Sequence, residues 1–374
     1  MTILSGPHLW PASRAGATLT VDLAAIARNY RFLCRKADKS VCAAVVKADA
    51  YGLGAEQVAP ALEKAGAREF FVAHVDEGIA LRKIVSANSR ITVLHGPRPD
   101  AVSECVYFDL RPVLNTLEQI NLWKKETERQ QRMLDAVLQV DSGMSRFGLS
   151  RQDVQAVADD PDRLKGIQTN LIMSHLACAD DPQNPANEMQ RQKLLEMAAC
   201  LPAAPLSLSA SSGIFLGSAY HMGLVRPGAA LYGIAPNTDE VNPLQQVVRL
   251  QARVLQLRYV TAGDGVGYGL TYQPQGPRRI ATIAVGYADG FSRQNGGAGY
   301  AWFGDIRLPI VGRVSMDSLA LDVSAVPEAL LHVDMHVDLI GARRRVDDVA
   351  ASTGTIGYEV LTSLGGRYYR EYVD

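Results

Sequence analysis

The sequence has few cysteines, no excess of charge, and no apolar run long enough to cross a bilayer. Its five cysteines, at positions 34, 42, 105, 178 and 200, show neither C-x-x-C spacing nor a pairing rhythm. An odd, scattered set excludes a disulfide framework and predicts reduced thiols buried as small hydrophobes. No hydrophobic stretch approaches the roughly 20 residues of a membrane-spanning helix. The opening MTILSGPHLWPASRAG lacks a basic segment followed by a long apolar one, so no secretory signal is expected and the expected location is cytoplasmic. Lys and Arg number 38 against 39 Asp and Glu, a balance that gives nucleic acid or an acidic membrane no footing as the main partner. Arg343-Arg344-Arg345 is a local exception and reads as a solvated loop. The seven histidines include no H-x-x-H or H-E-x-x-H spacing, so no metal site is predicted. There is no internal repeat and no low-complexity segment.

What is present is a regular alternation. Short apolar runs at 41–47, 70–73, 91–96, 111–114, 136–141, 171–177, 206–210 and 223–228 alternate with helix-like stretches such as 56–65, 76–85, 116–129, 151–159 and 187–200. Strands buried on both faces read as continuous apolar runs, and alternation with helices implies a parallel sheet. Eight such units in about 250 residues predict a (β/α)8 TIM-like barrel. On pattern alone, a doubly wound open sheet remains the alternative. Near residue 240 the pattern changes to glycine- and proline-broken strand-like pieces: VVRLQARVLQLRYV, RRIATIAVGYADG, AWFGDIRLPIVG and MHVDLIG. The expected organisation is an N-terminal extension (1–20) packing with the C-terminal domain, a barrel (21–240), and a mainly β C-terminal domain (241–374).

In such a barrel the reactive groups sit at the C-terminal ends of the strands. The first run ends in VVKADAYGLG, which places Lys47 at a strand end. An ammonium there either snorkels to the rim or serves as a desolvated nucleophilic amine. At the eighth run, VRPGAALYG places the backbone of Gly228 and Ala229 where barrels often bind phosphate, and Ser211 of SASSG adds a hydroxyl from the seventh. A lysine and a phosphate cradle on one rim are what pyridoxal phosphate requires.

The segments VVKADAYGLGA, DSGMSRFG, SHLA, VRPGAALYG, GYGLTY, VGYADG, GRVSMD and GYEVLTSLGGR, in this order from residue 45 to 367, resemble the signatures of the alanine racemase family. The resemblance implies pyridoxal 5'-phosphate joined to Lys47 as a Schiff base. It also implies phosphate contacts from Tyr51, Ser211, Gly228, Ala229 and Tyr358. Arg226 corresponds to the residue that faces the pyridine nitrogen. A guanidinium there donates and leaves the ring nitrogen unprotonated, a weaker electron sink that favours return of the proton to carbon. His175 corresponds to a support for that arginine. Racemisation needs an acid/base group on each face of a planar intermediate. Lys47 corresponds to one and Tyr268 to the other, with Tyr268 reaching the partner subunit's site in an obligate homodimer. A free tyrosine has a pKa of about 10, so a nearby cation must assist it. Arg146 is the candidate, and would also grip the substrate carboxylate. Met316 and Asp317 correspond to residues that enter the site from the partner, and Tyr287 to one that narrows the entrance in favour of small side chains.

Two positions depart from the family pattern. Many members carry a carbamylated lysine where this chain has Gln139, which leaves open what holds Arg146. Where many have asparagine, this chain has Ala210, one hydrogen bond fewer near the cofactor. Three other readings stay open. A basic amino-acid decarboxylase of the same shape would need a late cysteine, and none follows Cys200. A broad-specificity or serine racemase would have a wider gate. A non-catalytic pyridoxal-phosphate carrier would lack the β domain.

Overall fold

The computed structural model describes residues 11–237 and 241–374, so residues 1–10 of the expected N-terminal extension lie outside the described residues. The chain forms two compact units. One comprises Ile26–Ala50 and Ala55–Leu244, the other Met1–Ala25, Tyr51–Gly54 and Gln245–Asp374.

The first unit is built on a curled parallel sheet. Strands Ala44–Val45, Glu69–Val72, Arg90–Val93, Leu110–Leu114, Leu134–Gln139, Ile167–Met173 and Leu206–Ser207 lie side by side in chain order. The strand Leu224–Val225 then pairs in parallel with Val41–Cys42. It also meets the seventh strand, because Gly223 N donates to Leu206 O at 3.0 Å and Arg226 N to Ser209 O at 2.8 Å. These bonds bring the eighth strand between the seventh and the first, and all eight expected runs have their place in the sheet. Burial is continuous along Glu69–Val72 and Leu110–Leu114, because both faces are covered. Phe70, Phe71, Val93, Val113 and Val137 are fully enclosed. The outer helices start at local caps: Thr116 accepts Gln119 N at 3.2 Å, and Ser150 forms a reciprocal pair with Asp153.

The first strand stops short of its expected end at Lys47. From Lys47 to Gly52 the backbone makes one left-handed turn, with φ between +52° and +58° at Ala48, Asp49, Ala50 and Tyr51. Four consecutive non-glycine residues in this region are unusual, since each costs about 1–2 kcal/mol. Gly52 closes the turn, where a Cβ would stand 2.7 Å from Leu361 O.

The second unit is antiparallel in the main. The long strand Val248–Val260 pairs with both Arg278–Ile283 and His336–Ile340. The path through Leu319–Asp322, Ile306–Val311 and Tyr300–Phe303 joins those two, so six strands form a closed ring. Ala17–Asp22 adds antiparallel to Val248–Val260 and carries Tyr369–Val373 in parallel on its other edge. The expected extended segment ATLTVDLAAI is a strand only to Asp22. Its Oδ1 accepts Ala25 N at 2.6 Å, which starts the helix Leu23–Ala37.

Candidate active site

Seven of the expected site residues belong to the barrel unit, and they come together at the C-terminal ends of its strands. Lys47 follows the first strand. Its ammonium is held below the usual lysine range, first by burial and then by the positive charge of Arg146, while the carboxylate of Glu77 opposes both. An amine so placed loses its proton more readily and becomes the better nucleophile.

Arg226, 3% exposed, follows the eighth strand. Its guanidinium donates to Ser207 Oγ, to Ser174 O at 2.6 Å and to Leu208 O at 3.5 Å. Burial lowers its pKa to about 10, still far above neutrality, so it remains a donor. His175, at the end of the sixth strand, is pushed down to about 3 by burial, then by Arg226, Arg146 and Lys47. It is a neutral imidazole among three cations. Gln190 brackets it, accepting Ala177 N at 2.8 Å and donating to His175 O at 3.0 Å.

Ser211 sits just beyond the seventh strand. Its Oγ accepts the amides of Gly228 at 3.0 Å and Ala230 at 3.1 Å, which draws the two loops into one cradle with Ala229 at its centre. The site therefore offers a hydroxyl and turn amides for an anion, a desolvated amine for a carbonyl carbon, and a buried cationic donor for a neutral acceptor. That donor set fits pyridoxal phosphate.

Arg146 lies on the loop after the fifth strand. Asp141 Oδ1 folds this loop by accepting the amides of Gly143, Met144 and Ser145 at 2.9, 3.0 and 3.1 Å. Burial raises the Asp141 pKa, but the three amides outweigh it and hold the carboxyl below its usual range. At the expected departure, Gln139 Nε2 donates to the carbonyl of Phe147 at 3.5 Å, and among the described residues no hydrogen bond joins Gln139 to the Arg146 guanidinium. Beside Arg146 stands a column of rings instead. Its guanidinium lies 5.8 Å from the Phe147 ring, Phe147 5.3 Å from His95, and His95 4.5 Å edge-on to His74.

The other six residues belong to the second unit. Tyr51 and Tyr358 face each other with ring centres 6.1 Å apart. Burial and the neighbouring Tyr358 raise the Tyr51 phenol well above its usual range, so it stays a hydroxyl donor. Tyr287 and Met316 are tied through the backbone, since Tyr287 N donates to Ser315 O at 3.0 Å and Ala288 N to Met316 O at 3.0 Å. Asp317 is gripped by Arg367 Nη1 at 2.7 Å. Tyr268 occupies the short turn Tyr268–Leu270 and is 69% exposed. Leu270, Tyr287, Met316 and Ile356 of the same unit are also exposed.

Sequence reasoning missed two residues. Glu77 accepts the amide of Ala48, and its signal was the N3 position of the helix after the second strand. Arg367 closes the quoted GYEVLTSLGGR segment, and only its contacts with Asp289 and Asp317 give it a task.

Comparison with known proteins agrees with this geometry. Residues 21–236 match the family "Alanine racemase, N-terminal domain" and residues 247–372 "Alanine racemase, C-terminal domain". A protein of Mesorhizobium japonicum named "Alanine racemase, catabolic" is 50% identical, over 97% of this chain and 96% of its own. An alanine racemase of Brucella suis is 46% identical over 96% and 94%. Among solved structures, the alanine racemase of Bartonella henselae with covalently bound pyridoxal phosphate is 39% identical, with a TM-score of 0.93 over 96% of this chain and 100% of that one. The biosynthetic alanine racemase of Pseudomonas aeruginosa is 35% identical, with a TM-score of 0.89 over 96% and 100%. The chain belongs to the alanine racemase family.

Proposed function

We propose that this chain interconverts L- and D-alanine with pyridoxal phosphate, by a two-base mechanism in a homodimer. The observation that carries the reading is the convergence of Lys47, its proton affinity lowered, with Arg146, His175 and Arg226 on one barrel rim. Lys47, Ser211, Gly228 and Ala229 would hold the cofactor, together with the phenols of Tyr51 and Tyr358. When bound, pyridoxal phosphate supplies an electron sink that makes the α-proton of an amino acid removable.

The chain's residues then manage the proton. Lys47 Nζ takes or returns it on one face. Tyr268 Oη of the partner subunit does so on the other, because one fixed base returns a proton to the face it came from. Arg146 binds the substrate carboxylate and orients the α-carbon between the two bases. Arg226 can only donate, which limits charge drawn away from the α-carbon and favours reprotonation there. His175, neutral at working pH, packs beside Arg226 without adding a fourth cation. Tyr287, Met316 and Asp317 form an entrance suited to small side chains. Leu270, on the Tyr268 turn, and Tyr287, Met316 and Ile356 of the same unit are exposed apolar side chains that suit burial against a second copy.

The test is incubation with pure L-alanine and pyridoxal phosphate in deuterated water, following D-alanine and α-deuterium. D-alanine that appears with the native chain and not with Lys47→Ala supports the reading. Bound cofactor with neither signal overturns it.

A further inference from the structure

The amide of Ala48, next to the reacting lysine, is not bonded within its own turn. It donates at 2.6 Å to Glu77 Oε1, on the helix that follows the second strand. The other oxygen of the same carboxylate accepts Ala73 N at 2.7 Å and His74 N at 3.0 Å. An ordinary capping box explains the bond to His74, since a glutamate at N3 reaches back to the residue that opens its helix. It does not explain Ala48, 29 residues earlier in the chain and on the turn that follows a different strand.

Ala48 begins the left-handed turn, whose four non-glycine residues hold an unfavourable backbone. Such a conformation persists only when its surroundings over-determine it. Within the turn, Ala50 N bonds back to Val46 O at 2.9 Å. Glu77 supplies the anchor from outside. Among the described residues it is the anion that acts on Lys47, against the positive charge of Arg146 from the loop after the fifth strand; Lys47 in turn acts on His95 at the end of the third and His175 at the end of the sixth.

We propose that Glu77 is a positioning residue for Lys47: its single carboxylate pins the backbone at Ala48 to the end of the second strand and sets a fixed negative charge beside the lysine. The inference rests on the reading of Lys47 as the reacting amine. Its geometric half does not need substrate to be tested.

Two variants separate anchor from charge. Glu77→Gln removes the charge and turns an amide NH2 towards one of the N–H donors. Glu77→Asp keeps the charge but is one methylene too short to span both strand ends. The holoenzyme and both variants are compared by hydrogen exchange of the peptide spanning residues 47–52, and by the pH dependence of kcat/KM for alanine. Exchange at Ala48 is expected to quicken about tenfold or more in both variants. The acid limb of the pH profile, where the lysine must lose its proton, is expected to move to lower pH by at least about half a unit in Glu77→Gln, because an anion that favours the ammonium is gone. In Glu77→Asp the limb stays put while kcat falls. Unchanged exchange in both variants overturns the anchor. An acid limb that does not move in Glu77→Gln, or moves equally in both, overturns the charge. Failure of the reading of Lys47 as the reacting amine would show differently, as racemisation that survives Lys47→Ala.

Discussion

Asp289 accepts Arg367 Nε at 2.6 Å, and the same guanidinium reaches on through Nη1 to Asp317 at 2.7 Å. Asp289 is buried, and its second oxygen accepts Gly286 N at 2.8 Å. One arginine thus ties the Tyr287 turn to the Met316–Asp317 turn, and its two carboxylates raise its pKa. Removing it in Arg367→Ala leaves a buried carboxylate without its cation. The arginine is half-exposed, so the expected loss of stability is moderate, about 1–3 kcal/mol by urea denaturation. KM for alanine should rise by more than kcat falls, because the damaged turns carry the proposed entrance. Unchanged KM would show that these turns do not meet substrate.

Eight apolar runs gave the barrel away in the sequence, because a strand covered on both faces leaves a continuous signature, as at Leu110–Leu114. The strands Leu319–Asp322 and Tyr369–Val373 were illegible for the opposite reason. They are short, half-buried and set among loops, and only long-range pairing defines them. Lys47 stood out by its place at a strand end and Arg226 by the family motif around it, but the left-handed turn after Lys47 did not. Nothing in Lys-Ala-Asp-Ala-Tyr disfavours an ordinary helix locally, and the backbone is set by partners such as Glu77 that lie distant in sequence. Gln139 was legible as a departure. The rings that stand by Arg146 were not, because Phe147, His95 and His74 come from three separate strand ends.

His175 predicts an acid sensitivity with a definite sign. In the folded chain its pKa is about 3, against an ordinary value near 6.5. As pH falls below about 6.5 the unfolded chain takes up a proton that the folded chain refuses until about pH 3. Stability is therefore complete above 6.5 and declines through that window, by roughly 1 kcal/mol per pH unit at its steepest. His175→Asn lacks this titration. Between pH 7 and pH 5 the stability difference between native chain and variant should shift in favour of the variant. Parallel stability curves would mean that the imidazole is not held neutral.

The ring beside Arg146 is open to a separate test. A cation over an aromatic face contributes about 0.5–1 kcal/mol at an exposed site. Phe147→Leu keeps an apolar side chain and removes that face. KM for alanine should rise about two- to fivefold while melting temperature changes little, since Phe147 is exposed. The Asp141 clasp on the loop is untouched, so the loop fold survives. A KM that does not change would assign the positioning of Arg146 to that clasp alone.

Shared active sites make a quantitative prediction that no single-chain arrangement reproduces. Lys47→Ala and Tyr268→Phe should each abolish racemisation when purified alone. If Lys47 of one subunit works with Tyr268 of the other, a mixed dimer has one site with both defects and one with neither. Unfolding the two variants together in equal amounts and refolding them makes half the dimers mixed, with one working site in two. Activity should therefore return to about one quarter of the native level, since the two subunits associate as equals. If both groups served a site within one chain, every site in every dimer would carry one defect and no activity would return. The size of the recovery thus reports on which subunit supplies the second base, independently of how fast either base works.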